Sequence, residues 1–326
     1  MSASNISTGP APPLRVVFMG TPEFAVPCLQ SICEGPDTVV GVISQPDKPA
    51  GRRLALKVPP VKVFALDHRL PVFQPESIRA QESVDQLNSW KPDIIVVVAY
   101  GKMLPNDVLS LPPRGCVNVH ASLLPKFRGA APIQWAIAQG ETYSGVTIMQ
   151  ISETMDAGDI LLKVPLRLAQ NETGGTLHDK LSKVGATGLQ TVLKDMKKGV
   201  LEPATQDDSE VTYAPALKKE DGRIKWAQSA EHIERCIRAF DPWPSAYTLL
   251  GEKRLKGLGA TLVDDTRDQA VDASPGMVQW VGGDIVTVAT GNGMIGLSRV
   301  QLQGKKAMHI GEFLKGMSIN KGATFH

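Results

Sequence analysis

The chain has 326 residues, 42% of them hydrophobic, enough for two cores, one of ~200 and one of ~100 residues. Its net charge of +2 gives no support to a large nucleic-acid footprint and leaves room for a local basic loop. Cys28, Cys33, Cys116 and Cys236 show neither a C-x-x-C pair nor a zinc spacing, which points to reduced thiols and no structural metal, and the longest apolar run is too short to span a membrane.

Residues 1–13 are rich in Ser, Ala and Pro and lack the apolar core of a signal peptide and the Arg-rich pattern of a transit peptide; they read as a disordered lead to a cytoplasmic protein. Residues 14–19 are apolar apart from Arg15 and end in Gly20-Thr-Pro-Glu-Phe, the pattern of a buried strand feeding a turn and then a helix from near Pro27 to just before Gly35. No G-x-G-x-x-G follows, so a dinucleotide site loses its main support. Residues 38–44 and 72–74 read as strands and 62–67 and 83–90 as helices, the last with Val84 and Leu87 inward. D-I-I-V-V-V-A-Y at 93–100 gives the clearest buried central strand. Strands alternating with helices predict a doubly wound, mostly parallel α/β sheet, whose sites collect at the carboxyl ends of the strands. Residues 45–60 contain four prolines and four basic residues against one acid, the composition of an irregular loop suited to phosphate contacts.

The stretch 115–159 carries the chemistry. In Cys116-Val-Asn-Val-His120 the strand period of two puts Asn118 and His120 on one face, opposite Val117 and Val119, so two core-capable positions hold hydrogen-bonding groups. Ser122-Leu-Leu-Pro125 must turn, because Pro125 cannot continue a ladder. A second strand from 145 to 151 then enters a loop where Asp156 precedes Ala157-Gly158, well placed to meet an imidazole from a neighbouring strand. An amide donor, an imidazole and a carboxylate suit an oxyanion formed at an attacked carbonyl. No G-x-S-x-G or similar nucleophile motif is present, which favours direct transfer to an external nucleophile over a covalent acyl-enzyme.

N-V-H-A-S-L-L-P-K-F-R-G-A-A-P-I-Q with the downstream M-D-A-G-D resembles the folate-dependent formyltransferases that use 10-formyltetrahydrofolate. The resemblance makes Asn118, His120 and Asp156 the catalytic set, places Ser122, Leu123, Leu124 and Pro125 in the formyl-folate site, and implies no metal. Q-P-D-K-P-A-G-R at 45–52 looks like the inserted loop that the tRNA-acting branch of this family uses against an acceptor stem. Lys48, Arg52 and Arg53 are its tRNA-binding candidates, with Lys57 beyond.

Residues 132–140 read as a helix with Trp135 packed in the core or at its rim, and 159–164 as a strand. Residues 175–198 read as an amphipathic helix with Leu177, Leu181, Val184 and Val192 on one stripe, Thr176 as its cap and His178 on its polar side. The polar, acidic stretch 201–213 reads as a linker. Beyond it lie a helix at 229–240, stopped by Asp241-Pro-Trp-Pro, and six short segments at 247–250, 254–258, 260–263, 276–281, 285–290 and 294–302 with Gly-Gly-Asp and Gly-Asn-Gly turns, which together predict a small OB-like β-barrel. C-I-R-A-F-D-P-W-P and G-K-K-A-M resemble the family's C-terminal domain, where Arg235, Arg238, Lys253, Arg254, Lys305 and Lys306 would form a tRNA-facing patch. The expected domains are thus a catalytic unit at 14–200, a linker at 201–213 and a tRNA-binding unit at 214–326. The resemblance implies formyl transfer to the amine of methionine on initiator tRNA; a monomer with no membrane partner is expected. The alternatives are formylation of an amino sugar nucleotide or other small amine, a folate-dependent hydrolase or dehydrogenase module with water as the acceptor, and a nucleic-acid-binding protein with a vestigial centre.

Overall fold

A computed structural model describes residues 12–50, 55–263 and 273–326. In chain order its elements begin with β1 (Arg15–Gly20), α1 (Val26–Glu34), β2 (Thr38–Ile43), β3 (Lys48–Ala50), β4 (Ala55–Lys57), α2 (Pro60–Asp67), β5 (Val72–Phe73), α3 (Gln81–Trp90) and β6 (Ile94–Val98). There follow α4 (Asn106–Leu109), β7 (Cys116–His120), β8 (Arg128–Gly129), α5 (Pro132–Ala138), β9 (Tyr143–Gln150), β10 (Ile160–Arg167) and α6 (Gly174–Lys198). The rest are β11 (Tyr213–Ala214), α7 (Ala230–Ala239), β12 (Tyr247–Leu250), β13 (Lys253–Val263), β14 (Val278–Gly282), β15 (Ile285–Ala289), β16 (Met294–Leu302), β17 (Met308–His309) and α8 (Ile310–Gly316).

The chain folds into two compact units, the first built from segments ending at 128, 145–166 and 179–212, the second from 129–144, 167–178 and 213–326. The first holds a sheet of order β10-β9-β7-β6-β1-β2-β5. β7, β6, β1, β2 and β5 run parallel, and β9 joins β7 antiparallel. Strand alternation divides the apolar residues between two faces. Val17, Met19, Ile95, Val97 and Cys116 pack with Leu87 of α3 and Val108 of α4. On the opposite face Val119 and Cys28 of α1 come against Gly185 of α6, where an added Cβ would lie 2.9 Å from Val119 Cγ1. Helices on both faces make the expected doubly wound sheet.

The second unit is antiparallel and strand-rich, as the OB-like expectation requires: β12-β13-β16-β15-β14, with β17 against β16. Its core gathers Ile233 and Ile237 of α7 with Trp226 before that helix, Leu255, Val286, Val288, Ile295, Leu297, Phe313 and Phe325. The segments expected at 254–258 and 260–263 form one strand, β13, whose register against β16 slips around Gly257–Gly259. A bulge keeps the ladder running where the sequence pattern shows a break.

Two local expectations need correction. Residues 45–60 are not wholly irregular: β3 and β4 pair antiparallel, with Lys48 opposite Lys57. Pro49 is tolerated because a two-stranded ribbon leaves outward N–H positions that need no partner. The cap of α6 is Thr173 rather than Thr176; its hydroxyl oxygen accepts from the Thr176 N–H at 3.1 Å. Trp135 behaves as the packing reading requires, donating from Nε1 to the Pro215 carbonyl at 2.8 Å and meeting Phe240 edge-on.

Candidate active site

β7 delivers the amide and the imidazole. Asn118 lies opposite Val97 of β6 and Met149 of β9, and His120 lies opposite Thr147. Both side chains share the face of Cys116, at the carboxyl end of the strand. Asn118 is half-buried and its amide has no hydrogen-bond partner among the described residues. His120 is only 6% exposed. Its Nε2 lies 2.9 Å from the Phe127 carbonyl, and since a carbonyl only accepts, Nε2 carries the hydrogen. The basic atom of the neutral ring is therefore Nδ1.

Nδ1 faces Asp156, whose Oδ2 lies 3.7 Å away. That spacing is longer than a hydrogen bond and within the reach of an ion pair. Asp156 sits in the turn between β9 and β10 with φ of 52°, a left-handed conformation that Asp tolerates better than most residues. Two residues on, Gly158 is so close to the Gln150 carbonyl that an added Cβ would stand 1.8 Å from its oxygen. The turn can take this path only with glycine there.

The S-L-L-P turn is braced from within. Ser122 Oγ donates to the Lys126 carbonyl at 2.6 Å, while the Ser122 carbonyl accepts from Thr147 Oγ1 at 2.7 Å. The same threonine oxygen accepts from the Leu124 N–H. Leu124 is fully buried against Met149 and Ile160, and the Leu124–Pro125 peptide is cis. The Ser122 hydroxyl and the Leu124 side chain are thus spent on the fold, and Leu123 and Pro125 are the half-buried members of the four.

Cys116 shares the strand but not the chemistry. Burial pushes its thiol up to about 12, and Sγ points at the carbonyls of Val108 and Leu109. A thiol so placed holds almost no thiolate near neutral pH.

Several contributors escaped sequence reasoning. Gln206 is 7% exposed and donates from Nε2 to the carbonyls of Asp156 and Gly158, both at 2.8 Å. Its Oε1 accepts from Nε and Nη2 of buried Arg128. Thr212 Oγ1 accepts from the Phe127 N–H at 2.8 Å. Nothing in a polar, acidic stretch marks one glutamine as buried, whereas Arg128 stands inside the N-V-H-A-S-L-L-P-K-F-R-G motif.

Of the basic candidates, Lys48 is exposed on β3, and Arg52 and Arg53 lie outside the described residues. Lys253, Arg254, Lys305 and Lys306 are exposed, with Arg254 stacked 4.5 Å over the Tyr247 ring. Arg235 and Arg238 do not join them as free cations. Arg238 is held by Glu234 and donates to the Glu172 carbonyl, and Arg235 donates to the Ala138 carbonyl.

An amide and an imidazole stand toward the carboxyl end of an inner strand of a doubly wound sheet, with a carboxylate facing the ring, a set whose chemistry suits transfer at a carbonyl carbon. The formyl transferase family model matches residues 14–193, and the formyl transferase C-terminal domain model matches residues 216–318. The chain belongs to the formyl transferase family, among the methionyl-tRNA formyltransferases. It is 46% identical over 306 residues to the methionyl-tRNA formyltransferase of Desulfotalea psychrophila, covering 94% of each chain. It is also 46% identical over 310 residues to that of Lachnospira eligens, covering 95% of this chain and 98% of the relative. In fold it resembles the N-formyltransferase of Helicobacter canadensis in complex with folinic acid and dTDP-3-aminofucose, with a TM-score of 0.65 at 17% identity over 87% of this chain and 99% of the other. HypX of Aquifex aeolicus in complex with tetrahydrofolic acid gives a TM-score of 0.60 at 18% identity, over 95% of this chain and 50% of the other. At such identities the last two likenesses speak for the fold alone.

Proposed function

We propose that this chain transfers the formyl group of 10-formyltetrahydrofolate to the α-amine of methionine carried by initiator tRNA, with Asn118, His120 and Asp156 as the catalytic residues. The observation that carries the reading is the 3.7 Å approach of Asp156 to His120 Nδ1, with Asn118 two residues along the same strand face. An α-amine has a pKa of ~8, so a neutral fraction exists near pH 7 and no strong base is needed to generate it. As the amine adds to the formyl carbon, the Asn118 amide and the charged His120 ring hold the developing oxyanion. With Nε2 committed to Phe127, the ring takes up and releases its proton at Nδ1. Asp156 supports the charged ring and receives the proton the amine loses; the oxyanion then collapses, the bond from the formyl carbon to the folate nitrogen breaks, and that nitrogen takes up the proton as tetrahydrofolate leaves.

The tRNA falls to the basic elements. Lys48 and Lys57 stand directly opposite each other on β3 and β4, and like charges so placed repel. A phosphate backbone laid across the ribbon removes that repulsion. Lys48, Arg52 and Arg53 serve this contact in our reading, Ser122 to Pro125 shape the folate side, and residues 214–326 bind the tRNA body. The protein acts as a cytoplasmic monomer in this reading; no helix among the described residues is long and apolar enough to cross a membrane. One assay tests the whole: formyl-folate is supplied with charged methionyl-tRNA, with free methionine and with an amino sugar nucleotide. Formylation of the charged tRNA alone is expected. Formylation of the sugar nucleotide in its place would transfer the assignment to small amines.

A further inference from the structure

Residues 204–212 carry no catalytic side chain, yet they touch both halves of the centre. At one end Ala204 bridges Ile160 at the start of β10, with reciprocal backbone hydrogen bonds of 2.8 and 2.9 Å. In the middle, both Nε2 hydrogens of Gln206 go to carbonyls of the Asp156 turn, those of Asp156 and Gly158. At the other end Thr212 takes the Phe127 N–H on its hydroxyl and the Arg128 N–H on its carbonyl. Phe127 is the residue whose carbonyl orients the His120 ring. A single short segment therefore fixes the carboxylate's turn and the imidazole's partner together.

Gln206 has no hydrogen-bonding capacity left over. Its oxygen receives two bonds from Arg128, at 3.1 and 2.8 Å, and Arg128 Nη2 is anchored further by Asp208 at 3.0 Å. The Arg128 side chain is 7% exposed. Its planar fork fixes which way the amide points, since a flipped amide would aim N–H groups at the guanidinium and its oxygen at two carbonyls. The backbone it grips is the left-handed step at Asp156, a conformation that persists only where surroundings hold it.

We propose that residues 204–212 act as a strap that sets the His120–Asp156 spacing, and that Gln206, aimed by Arg128, is its positioning residue. This rests on the reading of Asp156 and His120 as catalytic. Gln206 touches neither substrate in this scheme; it acts through Asp156, and a misplacement of about 1 Å in such a group costs on the order of a hundred-fold.

The test compares Gln206→Leu, Asp156→Asn and their double variant by kcat, by KM for formyl-folate and tRNA, and by thermal midpoint. Val192→Ala, a core truncation in α6, serves as a control for lost stability alone. Gln206→Leu is expected to lower kcat about ten- to a hundred-fold with both KM values within about threefold. Val192→Ala should lower the midpoint with kcat little changed. In the Asp156→Asn background the Gln206 change should cost less than about threefold, because the residue it acts through is already disabled. Additive losses, or a Gln206→Leu enzyme as fast as the parent, would overturn the proposal. Should that variant fail to fold, Gln206→Glu keeps the Arg128 partner and replaces the donors by an acceptor oxygen that repels the two carbonyls of the Asp156 turn, and it carries the same comparison. A second readout does not depend on turnover: the ¹⁵N chemical shifts of the His120 ring at one fixed pH are expected to move in the Gln206 variant, because its neighbours Asp156 and Phe127 are repositioned. Unchanged His120 ring signals sink the strap, whereas normal turnover by Asp156→Asn sinks the catalytic reading beneath it.

Discussion

Asn118 is a side chain whose place in the fold is legible from the chain's own alternation. A strand that alternates valine with amide and imidazole has one polar face, and the period of two is enough to place Asn118 beside His120. Replacing it by alanine removes the proposed oxyanion donor without touching the core, so turnover is expected to fall about a hundred- to a thousand-fold while circular dichroism and thermal midpoint stay put. Near-normal turnover would remove Asn118 from the mechanism. His232 was not legible in this way. Burial first, and then the charges of Arg235 and Lys225, hold its pKa below the usual 6.5. Its Nε2 lies 3.4 Å from Cys236 Sγ. The folded protein keeps this ring neutral while the unfolded chain takes up a proton as pH falls through 6.5. The contribution to stability is complete above 6.5 and is lost as pH drops toward the lower folded value. Thermal midpoints measured from pH 7.5 to 5 should fall less steeply in His232→Gln than in the parent.

At the scale of elements, turns and ribbons decided more than propensity did. The Asp156 turn depends on Gly158, where an added methyl would collide with the Gln150 carbonyl. Gly158→Ala should therefore destabilise by about 2 kcal/mol or more and cost turnover as well, read by denaturant unfolding beside the formylation assay. Wild-type stability would mean that the turn can move. The β3–β4 ribbon was expected as irregular chain because prolines and glycine dominate its composition, and local composition cannot report a two-stranded ladder. Lys48→Glu on that ribbon exchanges a repulsive pair with Lys57 for an attractive one and opposes an incoming phosphate. KM for tRNA should rise several-fold, more steeply at low salt, while KM for formyl-folate holds. A change confined to the folate KM would detach the ribbon from the tRNA. The long helix α6, by contrast, was readable nearly to the residue from its apolar stripe, and only its cap was misplaced by three positions.

Across the whole molecule the thiols offer a way to follow each unit. Burial pushes Cys28 and Cys116 in the first unit up to about 12 and Cys236 in the second up to about 11. At pH 8 their thiolate fractions are on the order of one in a thousand or less, so alkylation requires opening of the fold. Cys28 and Cys116 should label together along a denaturant series; rapid labelling of Cys28 in buffer would contradict the packing around α1. Much of this architecture was determined by the sequence on its own: the alternation of buried strands with amphipathic helices, the strand-rich C-terminal unit, and the strand face that carries Asn118 and His120. Those are short-range patterns, set by the repeat of helix and strand against a core, and one sequence suffices to read them. Only the tertiary structure decided that Asp156 stands 3.7 Å from the ring, that Phe127 takes its Nε2, and that Gln206 reaches back to the Asp156 turn. These contacts join residues up to 50 positions apart. Their geometry follows from sheet order and from which backbone groups remain to be satisfied once the chain has closed, and neither is encoded in any local window.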